Sequence, residues 1–362
     1  MGFFDVVRRS WDGHHLFTVM FELTYRCNWN CYFCYNDLSL EGEPLTADQY
    51  LAAFRELAEM GTMNLTFTGG EPLAHPEFLR LGTAARELGF VVRIKTNGHA
   101  LRGELARRIR REIDPFMVEL SLHGARAKTH DRQTRIPGSF ERLVANLREL
   151  LDLGYRLKLN STLTRWNESE IEAMYALADE LGIRLQIGAE VSPRDDGDTE
   201  PLAITASREG LHRLFEINAE RSRSAQKQLG AEIGRAEDEE IPAVGSDKHC
   251  GAGSGSLTVD PYGNVYPCVQ WRRPVGNLHH RTIGEIWSSS GELTEVREIN
   301  REVRQRLAER GEDASFLGFC PGSAQLHTGS PLEIYDAAER QAEALEAASK
   351  SSHRRELLPV VR

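Results

Sequence analysis

Between Phe17 and Glu190 the chain alternates short apolar runs with longer amphipathic stretches at a regular beat. The short runs predict strands at 17–25, 62–68, 90–96, 115–122, 155–162 and 183–189. Between them, apolar residues recurring every three or four positions predict helices at 46–60, 76–88, 101–112, 138–153 and 167–181. Thr46, ahead of Ala47 and Asp48, reads as an N-cap, and Pro76 as a first-turn proline. Gly61, Gly89, Gly154 and Gly182 fall where helices must stop, and supply left-handed caps before the next strand. Six such βα units imply a parallel α/β sheet, either open or curled into a partial barrel. In both arrangements ligands bind at the carboxyl ends of the strands. Four unusual segments fall there: the cysteine run 27–34, Gly69-Gly70-Glu71-Pro72, Thr96-Asn97-Gly98 and Ser121 to Gly124.

The beat breaks after Glu190. Residues 1–16 form an N-terminal extension and 17–190 the repeated βα units; 191–249 form a polar bridge with Pro193, Asp195, Asp196, Asp198 and a helix to about Leu229. A second cysteine region spans 250–330, and 331–362 reads as a helix from Leu332 to Ser349 with an unstructured end. The 362 residues are enough for one large domain and a smaller one.

Composition narrows the setting. Net charge is −10 with a pI near 5.7, which disfavours nucleic acid as a partner. Arg102, Arg107, Arg108, Arg110 and Arg111 form a local exception, read as a solvated helix face, the alternative being a dock for an acidic electron donor or peptide. No apolar run approaches the roughly 20 residues of a membrane span. The six cysteines form an N-terminal trio (27, 31, 34) and a dispersed C-terminal trio (250, 268, 320). With no signal-peptide-like start, that distribution predicts a soluble cytoplasmic protein whose thiols ligate metal rather than pair.

Cys27, Cys31 and Cys34 stand at x3 and x2 spacing, with Phe33 before the last. On a helix they would share one face, but Asn, Trp, Asn and Tyr between them, directly after a strand, argue against a helix. Zinc is a second alternative, usually with four ligands. Three thiolates on a four-iron cluster leave one iron open for a small chelating molecule. This pattern resembles the radical S-adenosylmethionine (SAM) superfamily, and Gly69-Gly70-Glu71-Pro72 resembles its GGEP element. The resemblance implies a partial (β/α)6 TIM-like barrel, a 4Fe-4S cluster on Cys27, Cys31 and Cys34, and SAM chelated at the open iron. An electron from the reduced cluster then yields a 5′-deoxyadenosyl radical that abstracts hydrogen from substrate. It further implies SAM contacts for Gly69, Gly70 and Glu71, ribose contact for Ser121, carboxylate pairing for Arg135 (with Arg132 nearby), adenosine contact for Asn160 and Thr162, and packing of Phe33 near cluster or adenine. His123 and His130 are read as structural hydrogen bonders.

In the second region, Leu257 to Asp260 and Asn264 to Tyr266 flank Pro261-Tyr262-Gly263 as a hairpin with Cys250 and Cys268 at its ends. This, with Phe319-Cys320-Pro321-Gly322, resembles a small α+β SPASM/Twitch domain. The full pattern carries seven cysteines; here Cys250, Cys268 and Cys320 support one auxiliary iron-sulfur cluster at most, with His249, Asp260 or His327 as non-cysteine ligand candidates, or alternatively an empty or zinc-filled remnant. The resemblance implies an enzyme that modifies a peptide or protein, reduced by a flavodoxin or ferredoxin. Since nothing before Phe17 is large enough to recognise a leader peptide, a separate recognition protein is expected to deliver a leader-bearing substrate. The alternatives are a radical SAM enzyme acting on a small molecule, and a non-catalytic iron-sulfur or zinc scaffold.

Overall fold

A computed structural model describes residues 3–37, 39–233, 246–311 and 317–356. The six predicted strands are present as β1 (Thr18–Glu22), β2 (Asn64–Thr68), β3 (Val91–Thr96), β4 (Met117–Ser121), β5 (Leu157–Thr162) and β6 (Arg184–Gly188), each parallel to the next. The five predicted helices appear as α2 (Ala47–Glu59), α3 (Phe78–Glu87), α4 (Gly103–Glu112), α6 (Ser139–Asp152) and α7 (Ile171–Glu180). Helix α2 starts on a full capping box between Thr46 and Gln49. Gly61, Gly89, Gly154 and Gly182 follow four of these helices with φ of 77°, 87°, 73° and 65°.

Short helices α1 (Phe3–Asp12) and α5 (Ala127–Thr134) were not predicted. The bridge contains α8 (Arg208–Ile233), which packs against α12 (Asp336–Glu356). Residues 234–245 of the bridge and the tail beyond Glu356 lie outside the described residues.

The second cysteine region forms β7 (Ser256–Val259), β8 (Asn264–Tyr266) and β9 (Gly276–Asn277), then α9 (Ile283–Ser289), α10 (Gly291–Glu309) and α11 (Pro321–Thr328). Its hairpin joins the barrel sheet: β7 pairs in parallel with β1, giving the order β6-β5-β4-β3-β2-β1-β7-β8-β9.

The two faces of this sheet differ sharply. Val19, Phe21, Leu65, Phe67, Ile94, Val118, Leu120 and Leu159 point outward and are buried under the helices, with Phe21 edge-on to Phe54 at 5.1 Å. The alternate residues face the lumen and are mostly polar, with Met20, Val91 and Met117 among them. The pairing aligns Glu22, Thr68, Lys95, Glu119, Lys158 and Arg184 as one row across β1 to β6, and Ser121, Asn160 and Gln186 as the row above it. Lumen residues Arg184, Gln186 and Gly188 of edge strand β6 are exposed, so the curl is open along that side.

Candidate active site

The loop after β1 carries the N-terminal thiols at the carboxyl end of the sheet. It is pinned to the end of α5, where Asn30 N donates to Thr134 O at 3.2 Å and Tyr32 N to Gln133 O at 3.0 Å. Trp29 is buried as its anchor, edge-on to His130 at 5.5 Å and donating Nε1–H to His99 Nδ1 at 3.3 Å. Cys27 is exposed; Cys31 and Cys34 are half-buried. Burial pushes the Cys27 thiol up to about 11, against a hydrogen bond from Trp29 N at 3.4 Å. Cys31 and Cys34 are also raised by burial, Cys31 further by the charges of the other two. Among the described residues no three His, Cys, Asp or Glu side chains converge on a single-ion site, and a multi-iron centre held by these three thiols would deprotonate them by its own positive charge.

A cavity of about 650 Å³ opens beside them, bounded by Gly69, Gly70, Lys95, Ser121, Asn160 and Glu190 among others. The glycine pair owes its identity to the chain behind it. A Cβ on Gly69, with φ of 130°, would stand 2.4 Å from Thr24 O, and one on Gly70 2.6 Å from Tyr25 O and Arg26 O. The turn therefore packs directly on the segment leading into Cys27, and Gly70 N donates to Thr24 O at 2.7 Å.

Glu71 turns away from the cavity. Its buried carboxylate accepts from Thr96 Oγ1 at 2.7 Å, Asn97 N at 2.9 Å and Leu73 N at 3.0 Å. Burial raises its pKa and these bonds oppose the rise. Its side chain thus ties the β2 exit to the β3 exit, where Asn97 reaches Cys27 Sγ at 3.8 Å.

Ser121 and Asn160 stand side by side on the cavity wall, as does Thr162. Phe33 also lines it, edge-on to His123 at 4.6 Å. Arg135 does not join them. It ends α5 in the left-handed region (φ 58°), and its guanidinium lies over the Tyr32 ring at 4.5 Å and on Glu200 at 3.3 Å, where its charge opposes the rise at Cys31 without lining the cavity. Arg132 stacks on Trp166 at 3.9 Å and is likewise outside the cavity lining. The carboxylate-pairing expectation for Arg135 is corrected accordingly: the cation that lines the cavity is Lys95. The sequence reading missed Lys95 and Glu119, although both stand out as charged lumen positions in strands whose other face is apolar.

His123 and His130 are buried, and His130 Nδ1 accepts from His123 N at 3.1 Å. Burial pushes His130 down to about 4, so it is neutral at physiological pH. The α4 arginines are spent within their own helix and its end, Arg107 on Glu104 at 3.0 Å, Arg108 on Glu112 at 2.9 Å and Arg110 on Asp114.

The C-terminal thiols come together although 70 residues of chain separate Cys250 from Cys320. Burial, with the charges of Cys320 and Cys250, pushes Cys268 up to about 12; burial takes Cys250 to about 11. Cys320 caps α11, where its Sγ accepts from Ser323 N at 3.5 Å. Of the non-cysteine ligand candidates, Asp260 is fully committed, accepting from Tyr262 N, Asn264 N, Asn264 Nδ2 and Tyr266 OH. It is the hairpin's anchor instead. His249 Nε2 bonds Phe319 O at 2.7 Å, and His327 stacks on Tyr335 with Glu190 at 3.7 Å.

A buried ionic knot lies between the two thiol groups. Arg272, four residues after Cys268, grips Glu22 of β1 with both Nη atoms at 2.7 and 2.8 Å and Asp195 of the bridge at 2.8 Å. Burial pushes Asp195 up to about 7, with Arg272 opposing and Glu22 adding.

Comparison with known proteins decides the family. A model of the radical SAM superfamily matches residues 21–178, and one of the SPASM iron-sulfur cluster-binding domain matches 250–310. The chain belongs to the radical SAM superfamily. It is 28% identical over 341 residues to the AdoMet-dependent heme synthase of Methanosarcina barkeri, covering 87% of this chain and 94% of that protein. It is 31% identical over 279 residues to the PqqA peptide cyclase of Ruegeria pomeroyi, covering 74% and 73%. Its fold is similar to native anSMEcpe solved with bound AdoMet and Cp18Cys peptide, with a TM-score of 0.70 at 15% identity over 94% of this chain and 97% of that one. As a radical SAM enzyme it uses a 4Fe-4S cluster and SAM in the barrel, and its SPASM region is an iron-sulfur domain. Among the described residues no helix is long and apolar enough to cross a membrane.

Proposed function

We propose that this radical SAM enzyme modifies a side chain of a peptide or protein, with 17–190 as the radical-forming barrel and 250–330 as the auxiliary-cluster unit. Cys27, Cys31 and Cys34 hold the barrel's cluster. Gly69 and Gly70 present backbone to SAM, Ser121 and Asn160 hold its adenosine half, and Phe33 packs beside it. Cys250, Cys268 and Cys320 hold the auxiliary cluster. Bound there, the cluster and SAM supply a 5′-deoxyadenosyl radical that abstracts hydrogen from the substrate. The protein's share is to align the substrate in the cavity and keep water out.

The observation that carries this reading is the single cavity that touches the N-terminal thiols, the glycine turn, the polar lumen and Gln270 beside Cys268. The names of the PqqA peptide cyclase and of the peptide-bound structure support a peptide substrate. Six cysteines outside disulfides favour a reducing cytosol, and the reading takes a flavodoxin or ferredoxin as electron source and a separate protein to deliver any leader-bearing peptide. A second reading, a small-molecule substrate, is favoured by the greater span of the heme synthase match.

The test is 5′-deoxyadenosine formation by anaerobically reconstituted protein with dithionite and SAM, beside a Cys27/Cys31/Cys34→Ala variant and iron counts. Product lost in the variant, with more than four irons in the wild type, supports the reading. No product from fully loaded protein, with candidate peptides present, favours a non-catalytic iron-sulfur scaffold.

A further inference from the structure

The lumen beneath the cavity is electrically unbalanced. Glu119 of β4, 4% exposed, is approached by Arg93 at 3.0 Å, Lys95 at 3.1 Å and Lys158 at 3.7 Å, and Asn160 donates to it at 2.8 Å. Arg184 extends the same row on β6, exposed, and makes no ion pair among the described residues. Four cations thus face one carboxylate, in a chain whose net charge is −10. The other acid in this row, Glu22, is held by Arg272 on the far side. The cationic heads remain reachable by water, with side-chain exposures of 32% for Arg93, 39% for Lys95 and 20% for Lys158.

We propose that this row is a carboxylate-binding subsite: an acidic group of the substrate enters along the open β6 side and is held by Lys158 and Arg184, with Lys95 turned toward it from the cavity. The inference rests on the reading of the cavity as the substrate site and adds a chemical requirement to it. Arg184 supplies a planar fork suited to two carboxylate oxygens, and Lys158 a point charge beside it. Glu119 does not satisfy the row, because its two oxygens are already shared among three cations and an amide. Lys158 bears the mark of that shortage: its Nζ donates to the neutral Gln186 Oε1 at 2.6 Å and stands 3.7 Å from Glu119. Burial and the charges of Lys95, Arg93 and Arg184 lower its pKa, and only Glu119 opposes them. An incoming carboxylate relieves this repulsion, whereas a neutral group in the same place does not. An acidic peptide residue and the acid side chain of a tetrapyrrole carry the same group, so both substrate classes named by the relatives satisfy the requirement.

The experiment titrates reconstituted protein, with SAM already bound so that its own carboxylate is not the group being read. Two probe pairs are used: an end-capped Ala-Ala-Glu-Ala-Ala peptide against its Gln analogue, and coproporphyrin III against its uncharged tetraamide. At least one acid is expected to bind about ten-fold or more tightly than its neutral partner, the scale of one charged hydrogen bond, and the pair that shows the preference identifies the source. In Arg184→Gln the preference shrinks; in Arg184→Lys, which keeps the charge but loses the fork, it falls between Arg184→Gln and the wild type. Iron content and thermal midpoint report whether each variant is folded, and the wild-type comparison of acid with neutral needs no variant. Acid and neutral probes binding alike, neither acid binding, or a preference that survives in Lys158→Gln/Arg184→Gln overturns the proposal. Formation of 5′-deoxyadenosine is measured separately, so failure of the radical reading and failure of the subsite are distinguishable.

Discussion

At the residue scale, one atom decides what Gly70 permits. Its missing Cβ would meet two backbone carbonyls at 2.6 Å, and those carbonyls belong to the two residues before Cys27. Gly70→Ala should therefore cost about 1–3 kcal/mol in urea unfolding and lower the iron bound by the N-terminal thiols. Gly89, with φ of 87° and no atom within 4 Å of where a methyl would stand, carries only backbone strain. Gly89→Ala should cost about 1 kcal/mol and leave iron content unchanged. Glu119 gives a pH signature. Burial would raise its carboxyl, but Lys95 leads the charges and hydrogen bonds that bring it from 4.5 to about 2. A depressed acid stabilises the fold fully above the unfolded value and loses that contribution as pH falls from 4.5 toward 2. At 1.36 kcal/mol per unit this is roughly 3 kcal/mol at most, and Glu119→Gln should lose correspondingly less stability over that window in urea unfolding. The chemistry-bearing residues were legible by type and spacing. Their directions were not: Arg135 stands in the expected segment, but its guanidinium lies on Tyr32 and Glu200 rather than on the cavity wall.

At the element scale, strands and long helices were legible because each repeats its apolar period over several residues and ends on a cap or glycine. Helices α5, α9 and α11, of eight, seven and eight residues, are too short for a period to establish itself. Contacts between distant elements leave no local trace. Glu22 and Arg272 lie 250 residues apart, yet their ion pair fastens β1 to the segment after the hairpin. Arg272→Met strands Glu22 as an unpaired buried charge and should cost about 3–5 kcal/mol. Adding Glu22→Leu should recover much of that loss, and a double-mutant cycle in urea measures the coupling.

At the scale of the whole molecule, the sequence divides the chain at its two cysteine regions, while the hydrogen bonding does not. Backbone bonds run unbroken from β6 to β9 through the β1–β7 pair. The sequence could not foretell this, because a strand's choice of neighbour is set by the sheet around it. Strand β1, whose exit carries Cys27, is an interior strand only while β7 is present. A chain cut before Cys250 would bare that strand's row of unpaired amides and carbonyls along an apolar-backed edge, a template for a second copy. Such a truncated protein should elute as oligomers on gel filtration or fail to stay in solution. The SPASM hairpin is in this sense a guard against self-assembly, a duty it performs with or without iron.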